Sequence, residues 1–181
     1  MALNATILKV HVQIADLDRQ YYHDHALTIA QHPSETDERV MVRLVAFAQH
    51  ADEQLTFAKG LSDEHEPDVW KKSLIDEVEL WIDLGQPDEK RIRKACGRAK
   101  HVWIYTYGGR APQAWWNDIH NKLSRFDNLT VVYLAAEATQ GLCKLIKRSM
   151  QLQCTIQENV MSLSDGTDVV DIELEYWLKS A

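Results

Sequence analysis

Glu77-Val78-Glu79-Leu80-Trp81-Ile82-Asp83-Leu84-Gly85, then Gln86-Pro87-Asp88-Glu89, and further on Val102-Trp103-Ile104-Tyr105-Thr106-Tyr107 together decide the fold. The first segment alternates, with Leu80, Ile82 and Leu84 on one side and Glu79, Trp81, Asp83 and Gly85 on the other, which is the period of a β-strand. Pro87 at a first turn and the spacing of Ile92, Ala95, Cys96 and Ala99 predict a helix with one apolar stripe. Val102 to Tyr107 is apolar on both faces and reads as a buried strand. Strand, helix and buried strand in that order imply a crossover connection, with the two strands parallel in one sheet.

Upstream, Leu8, Val10, Val12 and Ile14 alternate with Lys9, His11 and Gln13, and with Tyr21 to Ala30 they predict a hairpin. Pro33-Ser34-Glu35-Thr36-Asp37-Glu38 is a helix start, with Ser34 as cap. The helix is expected to run to about Phe57, its apolar face holding Met41, Leu44, Val45, Ala48 and Leu55. Asp63 to Ser73 is irregular by pattern. Downstream, Pro112 to Leu123 reads as a helix, Leu129 to Leu134 as a strand and Glu137 to Arg148 as a helix. Leu152, Cys154 and Ile156 form a final hairpin with Ile172, Leu174 and Tyr176 across Asp165-Gly166. The expected architecture is α/β, or mixed α+β: a central mixed β-sheet flanked by helices, as a single domain over residues 1–181.

The 181 residues are 45% hydrophobic and 26% charged, the composition of a folded globular chain and not of a disordered or collagenous one. No apolar run approaches the roughly 18 residues a membrane span needs, and Met1 to Ile14 lacks the pattern of a signal peptide, so a cytoplasmic protein with no membrane contact is expected. Cys96, Cys143 and Cys154 form no CxxC pair, which gives neither a disulfide framework nor a cysteine zinc site. Charge is unevenly spread. The net value is -7, but residues 90–148 alone carry +9, with -11 before them and -5 after. That basic segment is the expected contact for nucleic acid, although a linear block need not fold into a patch.

Phosphate-loop, dinucleotide, GxSxG and HExxH motifs are absent, and what remains for chemistry is carboxylates. Glu79 and Asp83 share a strand face with Trp81. They are either a solvated acidic edge or ligands for a hard cation such as Mg²⁺ or Mn²⁺. Glu38 falls on the apolar side of its helix, where a carboxylate needs a cation or a donor, though a first-turn acid also suits the helix dipole. Pro67-Asp68 is an acidic turn ahead of the strand. Lys90 and Lys94 lie one helical turn apart beside the carboxylates and can neutralise a phosphoryl group. His23 and His25 offer a two-residue metal pair, and the Trp115-Trp116 pair offers a contact surface for a protein partner, since only one of the two indoles can lie fully inside.

His32-Pro33-Ser34-Glu35-Thr36 with Glu38-Arg39, Glu79 to Gly85 continued by Pro87-Asp88-Glu89-Lys90-Arg91 and Lys94-Ala95, the start Met1-Ala2-Leu3 and the late Thr155-Ile156-Gln157 resemble the YaeQ family over essentially the whole length. The resemblance implies a variant of the PD-(D/E)XK nuclease fold and a biochemical role that is largely unassigned. It puts Asp83-Leu84-Gly85 at the (D/E)XK tripeptide, with Asp83 as metal ligand and Gly85 where the lysine belongs. Lys94 or Lys90 would then supply the displaced cation, Glu38 the helical glutamate, and Asp68 or Glu79 the second acid. Glu79 and Asp83 lie about 13 Å apart along a strand, too far to hold one ion together. Two functions follow as expectations: metal-dependent phosphodiester hydrolysis, or a non-catalytic nucleic-acid-binding or protein-binding regulator that retains the scaffold.

Overall fold

The computed structural model describes residues 4–181, so the Met1-Ala2-Leu3 likeness lies outside the described residues. The chain divides into two compact units, one built from Met1–Gln49 and Glu137–Leu174 and the other from His50–Ala136 and Glu175–Ala181. Each is organised on its own mixed sheet. The architecture is therefore mixed α+β as expected, but with two sheets in place of a single central one.

In the first unit, β1 (Thr6–Asp16) and β2 (Tyr21–Gln31) form the expected antiparallel hairpin. Leu8, Val10, Val12 and Ile14 are all buried, as their alternation requires. α1 covers Asp37–Gln49, shorter at both ends than the sequence pattern suggests. Ser34 does not cap it. The Thr36 hydroxyl accepts the Arg39 N–H at 3.1 Å, whereas Ser34 Oγ pairs with His32 Nδ1 at 2.7 Å. The helix stops because Asp52 turns the chain, its carboxylate accepting Gln54 N–H.

After α1 come two short strands of the second unit, β3 (Leu55–Phe57) and β4 (Val69–Lys72). β4 lies within the stretch that reads as irregular, since four residues carry too little period to see. β5 (Val78–Leu84), α2 (Glu89–Arg98) and β6 (His101–Gly108) form the expected crossover, with β5 and β6 parallel from Leu80↔His101 to Leu84↔Tyr105. Asp88 caps α2, accepting Arg91 N–H at 2.8 Å, so Pro87 lies just before the helix and not in its first turn. α3 (Ala111–Leu123) and β7 (Leu129–Ala135) follow, β7 running parallel to β6. Ile92, Ala95 and Ala99 from α2 and Ile119 and Leu123 from α3 pack on Trp81, Val102, Ile104 and Val131 of the sheet.

α4 (Ala136–Leu142) is one short helix where the sequence suggests one running to Arg148. The closing hairpin is also more divided than expected. β8 (Ser149–Gln157) turns at Glu158 and Asn159, both at positive φ, into β9 (Val160–Ser164). β9 in turn crosses Asp165-Gly166 to β10 (Val169–Glu173). β8 lies parallel to β1, giving the first sheet the order β10-β9-β8-β1-β2. β11 (Glu175–Leu178) belongs to the other sheet, ordered β11-β7-β6-β5-β4-β3. Among the described residues, no helix is long and apolar enough to cross a membrane.

Candidate functional site

The strand face that carries Asp83 looks toward α2, and a β-bulge decides which acids share it. The pairing of β4 with β5 slips between Lys71↔Leu80 and Lys72↔Val78, leaving Glu79 as the extra residue. Val78 consequently packs in the same cluster as Trp81, three positions away, which unbroken alternation would forbid. Glu79 instead reaches Lys71, at 3.7 Å, on the face opposite Trp70 and Trp81. The expectation that Glu79 shares the strand face of Asp83 is corrected by that one inserted residue.

Asp83 itself is 3% exposed. Both its oxygens are taken by Arg91 of α2, Nε to Oδ2 and Nη2 to Oδ1, each at 2.9 Å. Such a two-pronged pair is the strongest geometry open to a carboxylate and a guanidinium. Burial pushes the Asp83 carboxyl above its ordinary range, Arg91 pulls against that, and the neighbouring Asp68 adds to it. Asp68 is also buried. Its Oδ2 accepts Leu84 N–H at 3.0 Å, and its Oδ1 lies so close to Gly60 that a Cβ there would collide with it.

Arg91 does more than pair. Its Nη1 donates to the Glu64 carbonyl and its Nη2 to the Glu66 carbonyl, each at 3.0 Å, and Arg98 Nη1 donates to the His65 carbonyl at 2.8 Å. Two guanidiniums of one helix thus hold three successive carbonyls of the Glu64-His65-Glu66 segment. Between this segment and α2 lies a cleft of about 370 Å³ lined by Glu64, His65, Trp81, Asp88 and the cations Lys90, Arg91, Lys94 and Arg98. Lys90 and Lys94 are exposed, and among the described residues neither has an ion-pair partner. Lys90 and Lys94 thus line this cleft together with Arg91, while Asp83 itself is not part of the lining; Arg91, Asp83's actual partner, is absent from the expected set. An eight-residue spacing across a strand-to-helix corner leaves no periodic signal.

Gly85, where the resemblance leads one to expect a lysine position, has φ +92° and donates its N–H to the Tyr105 carbonyl as the strand ends. Any side chain would be strained there. Glu38 belongs to the first unit, in the opening turn of α1, and accepts the Thr139 hydroxyl at 3.1 Å. His23 and His25 share a face with ring centroids 6.4 Å apart, but His25 Nε2 is engaged by the Tyr21 hydroxyl at 2.7 Å. Neither Trp115 nor Trp116 is fully buried: Trp115 donates to the Pro87 carbonyl, and Trp116 packs against Trp177. Among the described residues, no three His, Cys, Asp or Glu side chains gather as a metal ion would need. Burial pushes the Cys154 thiol to about 12 and the Cys96 thiol to about 11, so neither is a thiolate nucleophile at neutral pH.

Comparison with known proteins covers nearly the whole chain. The family model described as YaeQ protein matches residues 1–174. The uncharacterized protein YaeQ of Salmonella typhi is 47% identical over 177 residues, 98% of each chain, and that of Escherichia coli (strain K12) is 46% identical over the same extent. The crystal structure of YaeQ from Xanthomonas axonopodis pv. citri superposes with a TM-score of 0.94 at 44% identity, covering 98% of this chain and 99% of that one. YaeQ from Pseudomonas syringae gives 0.93 at 32% identity, with 97% of each chain covered. On sequence and fold alike, the chain belongs to the YaeQ family.

Proposed function

We propose that the protein binds nucleic acid through the α2 cleft without cleaving it, on a scaffold of the PD-(D/E)XK nuclease kind. One observation carries this reading: the carboxylate that the nuclease pattern would leave open is closed by Arg91, while Lys90 and Lys94 on the same helix stay unpaired beside a cleft. Unpaired cations in a cleft attract phosphate, and displacement of counterions from the phosphate backbone supplies the affinity. The parallel run β5-β6-β7, with α2 and α3 as its connections, supports the scaffold assignment. A cytoplasmic setting goes with the proposal.

The alternative is Mg²⁺- or Mn²⁺-dependent hydrolysis with Asp83 and either Asp68 or Glu79 as ligands and Lys94 or Lys90 as the cation. The adjacency of Asp68 and Asp83 favours it. Against it, a divalent ion at Asp83 would meet the guanidinium charge at 2.9 Å from both oxygens, and Glu79 lies on the other face. The residues as arranged do not fit the ion.

Fluorescence anisotropy with labelled duplex and single-stranded oligonucleotides, in EDTA and again in Mn²⁺, separates the two. Salt-sensitive binding that is equal in both and leaves the oligonucleotide intact is the expected result. Cleavage that requires Mn²⁺ and disappears in Asp83→Asn would replace the binding reading with the catalytic one. No binding of any nucleic acid at low salt would end both.

A further inference from the structure

Two aliphatic side chains stand in water at the tip of the β4–β5 hairpin: Leu74 is 95% exposed and Ile75 77% exposed. The tip is not a loose loop. Ser73 N–H donates to the Glu77 carbonyl at 2.8 Å, Asp76 N–H to the Ser73 carbonyl at 3.0 Å, and the Ser73 hydroxyl oxygen accepts the N–H groups of Ile75 and Glu77. A turn tied by these four hydrogen bonds presents both side chains outward, although burying either one would be favourable. Its flanks are held by charge, Lys72 with Asp76 at 3.3 Å and Glu77 with Lys100 at 3.4 Å.

The tip lies at one end of the α2 cation row. Lys100 N–H donates to the Val78 carbonyl at the base of the hairpin, and a second cleft of about 360 Å³ is lined by Asp76, Glu77, Val78, Arg98, Ala99 and Lys100. Arg98 borders both this cleft and the one that holds Lys90 and Lys94. Lys90, Lys94 and Arg98 are spaced one helical turn apart, about 6 Å per step and about 12 Å in all. Laid along a duplex axis, that length spans roughly three or four phosphates of one strand, at about 3.4 Å of axis per phosphate. A row of cations able to follow a phosphate backbone therefore ends at a rigid apolar finger.

Deepening the reading above and resting on it, we infer that the ligand is duplex nucleic acid, and that Leu74 and Ile75 wedge into a base step while Lys90, Lys94 and Arg98 hold the adjoining phosphates. Aliphatic wedges of this kind unstack base pairs and are matched with cations on the flanking backbone. Flexible pyrimidine–purine steps open most readily.

The test uses the full chain and duplexes of about 20 base pairs carrying 2-aminopurine at TA steps, whose fluorescence rises when the base leaves the stack. Wild type is expected to raise that fluorescence on binding. Leu74→Ser/Ile75→Ser is expected to abolish the rise and to weaken duplex binding about a hundredfold, about tenfold for each of the two aliphatic side chains withdrawn from the stack. The same variant is expected to leave thermal stability unchanged, because both side chains are largely exposed. Duplex binding with no fluorescence rise, or a rise that survives the substitution, overturns the wedge and leaves the binding proposal standing. The same holds for Leu74 and Ile75 that prove to matter only for contact with another protein. Absence of any nucleic-acid binding by wild type overturns both.

Discussion

Asp83 and Arg91 set the chemistry of the cleft at the scale of single residues, and their coupling is measurable. Removing one member of a buried pair strands the other, at a cost of about 3–5 kcal/mol; with Arg91 about a quarter exposed, the lower end applies. Asp83→Ala and Arg91→Ala are each expected to lower stability by about 3 kcal/mol, and the double variant by clearly less than their sum. The pH dependence carries a sign. Burial raises the folded-state carboxyl above its unfolded value, so the stabilisation by its proton is complete below the unfolded value and is lost as pH rises through the folded one. Arg91→Ala removes the opposing pull and moves that loss to higher pH. Urea midpoints at about pH 5 and about pH 8 should therefore fall with pH more steeply in Arg91→Ala than in wild type; parallel midpoints would show that the two groups do not share a charge.

At the scale of elements, α2 was legible because its inward stripe has helical spacing, and Ile92, Ala95 and Ala99 are buried as that spacing requires. What the spacing leaves open is what the outer face meets. The long ends given to α1 and α4 failed for a related reason: past Gln49 and Leu142 apolar residues continue, but Asp52 and the strand pairing of Ser149 with Lys9 fix the backbone instead. β4 and β9 went unseen because strands of four and five residues owe their form to neighbours distant in sequence. The alternation put Asp83 on the face of Trp81, where it lies, and put Glu79 there too, because a bulge of one residue is a defect that alternation cannot register. If the outer face of α2 meets phosphate, Lys90→Ala/Lys94→Ala should flatten the slope of log affinity against log salt by about 2, roughly 0.9 for each phosphate no longer neutralised. Circular dichroism should be unchanged, since both lysines are exposed. An unaltered slope would move the nucleic-acid interface off this helix.

For the whole molecule, the number of sheets was the least legible feature, because strand periodicity reports a covered face but not which sheet the strand joins. β1 takes β8 as its parallel partner from about 140 residues away, and β10 and β11, separated only by Leu174, part into different sheets. Neither unit is therefore a continuous piece of chain. The second unit closes only when the C-terminal segment returns to β7. Tyr176 then packs on Trp103, Trp177 stacks on Tyr133 at 4.7 Å, and Ser180 and Ala181 donate their N–H groups to Thr130 Oγ1 and the Asp127 carbonyl. Deleting residues 175–181 strips two aromatic side chains from the sheet and bares the β7 edge. The expected outcome is a loss of several kcal/mol in urea unfolding followed by tryptophan fluorescence, with concentration-dependent aggregation of the truncated protein as the open edge recruits other chains. Restoring the deleted segment as a separate peptide should recover part of the midpoint if strand pairing is what closes the sheet. A truncated protein as stable and as monomeric as the full chain would mean that β7 is a tolerated edge and that β11 only decorates it.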